Sequence, residues 1–455
     1  MLSLQDASPE PYWLTQAGAP APADPLDGAL SADLAVVGAG FGGLWTALLA
    51  KERDPGLDVV VIEASTAGWA ASGRNGGFCA ATLTHGFENG ASRFPHEIEQ
   101  LEKLGRANLD EIEETVSRYG IDCGFSRAGE LRVATAPWQL RELQAGDEAG
   151  VVLLDRDQIR AEVDSPTYLG GLWDRDGCAM VDPARLVWGL RAACQTLGVR
   201  FHDRSPVTRI TRAGAALRLH TAGGHVDAAR VALATGAHGR LLRRLGHFVV
   251  PVYDYVLMTE PLSDEQLASI GWRNRQGVGD LGNQFHYYRL TADNRILWGG
   301  YDAVYYNGGR IKPSYDQRPA TFETLAAHFF QTFPQLSGLR FTHKWGGVID
   351  TCSRFSGFFG TAYDGRLSYA AGYTGLGVGA TRFGANVMLD LLSGEQTERT
   401  ALRMVRAKPT PFPPEPLRSA VIQLTRWSIA QADRRDGRRN LWLRTLDAAG
   451  LGFDS

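Results

Sequence analysis

The stretch Gly38-Ala-Gly40-Phe-Gly-Gly43 constrains this chain more than any other. Its three spaced glycines stand between a continuous apolar run, Leu34–Val37, and a helical pattern from Leu44 to Glu52 that Pro55-Gly56 ends. A second apolar run, Asp58–Ile62, follows and closes on Glu63. Strand, glycine turn, helix and strand in that order make a βαβ unit. Strands apolar throughout predict a parallel sheet covered on both faces. Gly38 permits the turn, Gly40 lets a pyrophosphate approach the backbone, and Gly43 lets the helix pack on the strand. The phosphates then meet the helix N-terminus, where free N–H groups and the helix dipole favour negative charge. Glu63, 20 residues after Gly43, is placed to hold ribose hydroxyls and to repel a 2′-phosphate.

Length and composition narrow the remainder. A chain of 455 residues with 44% hydrophobic and 21% charged residues has room for two or three domains and is neither disordered nor fibrous. A net charge of −3 gives no reason for nucleic-acid binding. The five cysteines are scattered, with no C-x-x-C pair, so neither a disulfide framework nor a metal site is expected, and a cytoplasmic location is. Residues 1–50 carry no Lys or Arg, unlike a signal peptide. The 17 uncharged residues Leu34–Ala50 are too short and Gly-rich for a transmembrane segment, for which about 20 apolar residues are needed.

Along the chain, the first 30 residues read as an arm. An amphipathic helix is predicted from His96 to Tyr119, and a helix capped by Asp182-Pro183 runs through Cys194. From Val250 to Asp302 the pattern alternates, as in antiparallel strands. The clearest case is the hairpin Phe285–Leu290 and Ile296–Tyr301 around Thr291–Arg295. Parallel character returns at Leu367–Ala371, before Gly372-Tyr-Thr-Gly-Leu-Gly377 and a helix to about Leu392.

NAD and FAD share the first fingerprint. The loop Trp69-Ala-Ala-Ser-Gly-Arg-Asn-Gly-Gly77 offers backbone N–H groups beside one cation, Arg74, and one amide, Asn75, so it can wrap a flat ring system and an anion. Together with Gly38–Gly43, Glu63, Ala234-Thr-Gly236 and Gly372–Gly377, this loop resembles the FAD-dependent oxidoreductases of the D-amino acid oxidase and glycine oxidase type. Ala70–Gly77, Tyr119–Asp122, Tyr287–Arg295 and Phe333–Leu336 are most similar to the γ-glutamylputrescine oxidase branch. The resemblance covers roughly residues 30–395 and implies an α/β protein. Its Rossmann-like FAD-binding domain has a parallel sheet, and a mixed, mainly antiparallel α+β substrate domain is added to it. The expected FAD-binding segments are 30–95, 166–249 and 341–400. The expected substrate-domain segments are 96–165 (helical) and 250–340 (antiparallel), with a helical tail over 409–455. The implied FAD contacts are Gly38, Gly40, Phe41, Gly42, Gly43, Glu63, Ala64, Ser72, Gly73, Arg74, Asn75, Gly76, Val207, Thr235, Gly236, Gly375, Leu376 and Gly377.

The implied chemistry is oxidation of an amine C–N bond to an imine by hydride transfer to flavin, with molecular oxygen as acceptor. Three departures from the family pattern refine it. Ile349 stands near the position of the arginine that holds an amino acid carboxylate in glycine oxidase-like members, which disfavours a simple α-amino acid. Cys352 is three residues from the position of covalent flavin attachment in sarcosine oxidase-like members, so noncovalent FAD is expected. Trp298 stands where those members carry an oxygen-activating lysine. Tyr288, Trp298 and Asp302 are the candidate catalytic residues, on the aromatic hairpin; Tyr287, Tyr301 and Asp254 lie nearby. The substrate expected is a polyamine or γ-glutamylated diamine. The alternatives are an N-methyl amino acid oxidase or dehydrogenase and a non-catalytic flavin-binding protein. In the tail, Leu417, Val421, Leu424 and Trp427 form a helical stripe, and residues 411–455 hold seven Arg against five acids. Packing onto the domain or onto a second subunit, as a homo-oligomer contact, is favoured over membrane-surface binding.

Overall fold

The computed structural model describes residues 2–143, 150–238 and 241–452. Two large sheets divide the chain. The first runs, in spatial order, Phe358–Ala362, Leu367–Ala371, Gly224–Leu233, Gly28–Val37, Val59–Ile62 and Arg200–His202. Gly28–Val37 sits parallel between two neighbours, with Leu34 opposite both Val59 and Arg230. Both faces of this strand are covered, which is why Leu34–Val37 is uniformly apolar. Leu34 and Val36 pack under the helices Phe41–Arg53, Pro183–Thr196 and Gly377–Ser393. Ala35 and Val37 pack under Leu217, Leu219 and Leu245 on the other side. Asp182 caps the Pro183–Thr196 helix by accepting the Arg185 N–H at 3.0 Å, with proline at the first position, as its sequence predicts. Inside that helix, Arg191 forms a fully buried ion pair with Asp203 at 2.8 Å.

The second sheet runs Phe341–Thr351, Val250–Thr259, Ile296–Gly300, His286–Leu290, Gly277–Asp280, Glu130–Ala134, Gly170–Asp174 and Val151–Leu154. It is antiparallel except where Gly277–Asp280 meets Glu130–Ala134. The helix Pro319–Thr332 covers one face, setting Phe322 and Phe329 among Tyr253, Tyr255, Tyr288 and Trp298.

Three expected segment boundaries shift. Gly170–Asp174 and Phe341–Thr351 belong to this second sheet, the latter because it pairs along Val250–Thr259 from Val250 opposite Thr351 to Thr259 opposite Phe341. The helix Ile98–Arg118 instead joins the first core. Leu101, Leu109 and Ile112 pack there, and Asn108 Nδ2 donates to Gly379 O at 3.0 Å. The tail helices Leu417–Asp433 and Leu441–Ala448 pack back on the chain. Asp433 accepts the N–H groups of Asn283 and Gln284 at 2.9 Å each, and Gln423 donates to Tyr305 O at 3.0 Å. Residues 453–455 of the tail lie outside the described residues. Among the described residues no helix is long and apolar enough to cross a membrane.

Candidate cofactor and substrate site

The first fingerprint folds as its spacing requires. A Cβ on Gly43 would stand 1.8 Å from Gly38 O, so the helix Phe41–Arg53 reaches the turn only without a side chain there. Ser72 Oγ accepts the Phe41 N–H at 3.0 Å and brings the second loop over the first, where a Cβ on Gly40 would lie 2.8 Å from the same oxygen. Glu63 is buried behind the turn. Its Oε2 accepts the Ala39 N–H at 2.7 Å, and its Oε1 accepts the Ser65 N–H and Trp69 Nε1–H, both at 2.8 Å. Burial raises its pKa despite these donors. Each carboxylate oxygen has two lone pairs, so Oε2 retains capacity for a ribose hydroxyl. Ala64 is exposed beside it. Val207 follows a segment laced to the same strand end, where the Ser205 N–H donates to Glu63 O at 2.8 Å. Thr235 and Gly236 leave the neighbouring strand where the Ala234 N–H bonds Val37 O at 3.0 Å.

The second loop differs from expectation in what its polar side chains do. Arg74 is not left facing an anion: its Nη1 pairs with Asp316 at 2.6 Å and bonds Gly346 O at 3.1 Å. Asn75 shapes the loop itself, donating to Ala71 O and Ser72 O at 3.0 Å each and accepting the Gly77 N–H at 2.8 Å. The ligand-seeking groups are backbone instead. The Asn75 and Gly76 N–H groups form no hydrogen bond within the described residues, and Gly76 is buried. A buried N–H without a partner is costly unless something outside the chain accepts it. Opposite, a Cβ on Gly377 would meet nothing closer than 3.8 Å and one on Gly42 nothing closer than 3.7 Å. Neither glycine is forced by a close protein neighbour. Gly375 and Leu376 lead into the helix Gly377–Ser393, and Asp350 Oδ2 accepts the Gly372 N–H at 2.7 Å below them. Burial pushes Asp350 up to about 6. Asp350 lies on the long last strand of the second sheet and has no motif of its own, so sequence reasoning missed it. Loop N–H groups without a partner among the described residues, and a buried carboxylate with spare acceptor capacity at the strand end, together fit FAD.

Two of the three catalytic candidates, Tyr288 and Trp298, share one side of the second sheet, and Tyr287 and Asp254 lie on the other. Tyr288 and Trp298 are paired neighbours with ring centroids 4.4 Å apart, as alternation suggests. They face the Pro319–Thr332 helix, however, where both are essentially fully buried, and the Tyr288 hydroxyl bonds the Tyr168 hydroxyl at 2.5 Å. They are sheet core, on the side of the sheet away from the Tyr287 ring and the second loop. Asp302 is held by Arg426 at 2.8 Å, by the Thr321 hydroxyl at 2.7 Å and by Arg318, so its charge is already matched. The face toward the cofactor loop carries the intervening residues. A Cβ on Gly76 would lie 2.8 Å from the Tyr287 ring, which fixes Tyr287 over the loop. Its hydroxyl donates to Asp254 Oδ2 at 2.5 Å. Burial raises Asp254 to about 6, against the lowering by the Tyr287 bond and by backbone N–H groups. Gly347 is opposite Asp254 in register and Ile349 opposite Val252, so both share this face. Cys352 is buried, its Sγ against Ser356 O and Gly372 O.

A nucleotide cradle joined to an antiparallel sheet, one face of which closes over the cradle's second loop, defines a flavin-dependent oxidoreductase. The chain belongs to the family of FAD-dependent oxidoreductases, abbreviated DAO, whose model matches residues 33–391. It is 34% identical over 397 residues to gamma-glutamylputrescine oxidoreductase of Escherichia coli (strain K12), covering 84% of this chain and 89% of that one. It is 25% identical over 343 residues to sarcosine oxidase subunit beta of Arthrobacter sp, covering 70% and 77%. The solved structure of glycine oxidase from Geobacillus kaustophilus shares the fold, with a TM-score of 0.68 at 20% identity over 83% of this chain and 99% of that one.

Proposed function

We propose that this FAD-dependent oxidoreductase oxidises the C–N bond of a cationic amine with an extended apolar body, of the γ-glutamylated diamine class. The observation that carries the reading is the Asp254–Tyr287 pair on the sheet face that meets the cofactor loop. The cations beside that face are engaged. Arg74 is paired with Asp316, and buried Arg289 is committed to the carbonyl of Val181 at 2.7 Å. With Ile349 also on this face, a small amino acid finds no unengaged guanidinium there among the described residues to anchor its carboxylate, whereas an ammonium finds Asp254. The name of the Escherichia coli relative supports the same substrate class.

The glycine turn, Glu63 and the second loop would hold FAD noncovalently, and bound there it would supply a two-electron acceptor for the hydride beside the amine nitrogen. The chain's own residues do the rest. Asp254 draws the ammonium in, and the Tyr287 hydroxyl fixes which carboxylate oxygen faces it. Low-dielectric surroundings favour the neutral amine, and the Asp254 carboxylate accepts the proton it sheds. The product imine would hydrolyse in water, and molecular oxygen would take up the electron pair to balance the oxidation.

The test is anaerobic mixing of the yellow protein with mono-, di- and polyamines, γ-glutamyl amines, glycine and sarcosine. Extended amines bleach the flavin band fastest if the reading holds. Faster bleaching by sarcosine or glycine than by every amine refutes it in favour of N-methyl or α-amino acid oxidation. Denaturation releases all flavin as free FAD, and flavin left on the chain contradicts the noncovalent assignment.

A further inference from the structure

Residues before the family match, which begins at 33, cross the cofactor loop from outside. Trp13 is 2% exposed, and its indole Nε1 donates to Asn75 O at 2.9 Å. Trp345, from the second sheet, donates in the same way to the preceding carbonyl, Arg74 O, at 2.9 Å. Two indoles from distant parts of the chain thus hold two successive loop carbonyls. Both peptides are trans, since the only cis bond among the described residues is Glu415–Pro416. In a trans peptide the N–H points opposite to the C=O. Drawing the Arg74 and Asn75 carbonyls toward the indoles therefore turns the N–H groups of Asn75 and Gly76 the other way. These are the two N–H groups that find no acceptor within the described residues. Leu14 adds a contact, its Cδ2 only 2.7 Å from where a Cβ on Gly73 would be.

The arm is itself anchored on both sides of the loop. Tyr12 donates to Asp293 of the hairpin turn at 3.0 Å, Gln16 to Asp182 at 2.7 Å, and the Ala23 N–H to Asp203 at 2.7 Å. Each anchor lies on a different element, so the arm cannot shift without breaking several bonds.

We propose that the N-terminal arm is a strap over the cofactor loop, and that Trp13 is a positioning residue for FAD. By holding Asn75 O, its indole presents the Gly76 N–H as a donor to the cofactor without touching the cofactor itself. The inference concerns FAD retention and is independent of which amine is oxidised.

Trp13→Phe keeps an aromatic ring in the buried slot but removes the N–H. Tyr12→Phe removes a neighbouring arm bond that does not reach the loop. FAD release from the holoenzyme is followed by the recovery of flavin fluorescence after dilution, beside the thermal midpoint of each variant. One lost hydrogen bond accelerates release about fivefold in Trp13→Phe and shifts the visible flavin band, while Tyr12→Phe releases FAD at the parent rate. Trp13→Phe releasing FAD at the parent rate, or both variants accelerating release equally, overturns the proposal. The second result would reduce the arm to general packing.

Discussion

The two faces of the second sheet are made by the same strands and differ by one residue of register. The face under the Pro319–Thr332 helix collects Tyr253, Tyr255, Tyr288 and Trp298, packed ring to ring. The face over the cofactor loop carries Asp254, Tyr287, Gly347 and Ile349, all partly buried. The aromatic-rich face is the structural one; the functional face is the one whose residues a folding argument alone would not choose. The Asp254 carboxyl, raised to about 6 by burial, has a cost that packing alone does not explain.

The comparison is tested most severely by paired substitutions. Asp254→Asn should lower kcat/KM for cationic amines by roughly 30- to 1000-fold, the range expected when one partner of a desolvated charge pair is removed. Its pH signature has a fixed sign. Because the folded pKa is raised, the carboxyl is neutral below about 6 and attracts no ammonium. kcat/KM therefore falls as pH drops through 6, and Asp254→Asn abolishes that limb, which a pH–rate profile checks directly. Glu63→Gln exchanges a carboxylate accepting three N–H donors for an amide that cannot accept all of them. It should weaken FAD binding by about 1.5–3 kcal/mol, read by fluorescence titration. Tyr288→Phe strands the buried Tyr168 hydroxyl, so about 1–3 kcal/mol of stability should be lost in denaturant titration while kcat/KM stays within about twofold. Asp302→Asn should change KM for cationic amines by less than about twofold, because Arg318 and Arg426 already occupy its carboxylate.

Much of the cradle was legible in sequence because backbone geometry dictates it. Gly43 and Gly38 are forced by a contact too close for any side chain, and Glu63 is forced by its place at a strand end. Alternation likewise showed that Tyr288 and Trp298 share a face, since the period of a strand is two. It does not say which face closes on the loop, because that depends on where the Pro319–Thr332 helix docks. The same limit applies to Arg74, whose partner Asp316 lies 242 residues away, and to Asp302, which Arg318 of the helix N-terminus and Arg426 of the tail reach only through the tertiary fold. Trp13 was hidden for a different reason. An arm without periodicity carries no pattern, and its role exists only through one indole bond to a distant carbonyl.

The central claim, that the amine binds on the Asp254–Tyr287 face, is tested most directly by a crystal structure of the FAD-loaded protein with an unreactive analogue of its best amine. The account predicts the analogue's nitrogen within hydrogen-bond distance of the Asp254 carboxylate, with Ile349 and Gly347 beside its chain. An analogue nitrogen bound to Asp302, or a ligand lodged among Tyr288 and Trp298 on the helix-covered side, would contradict it.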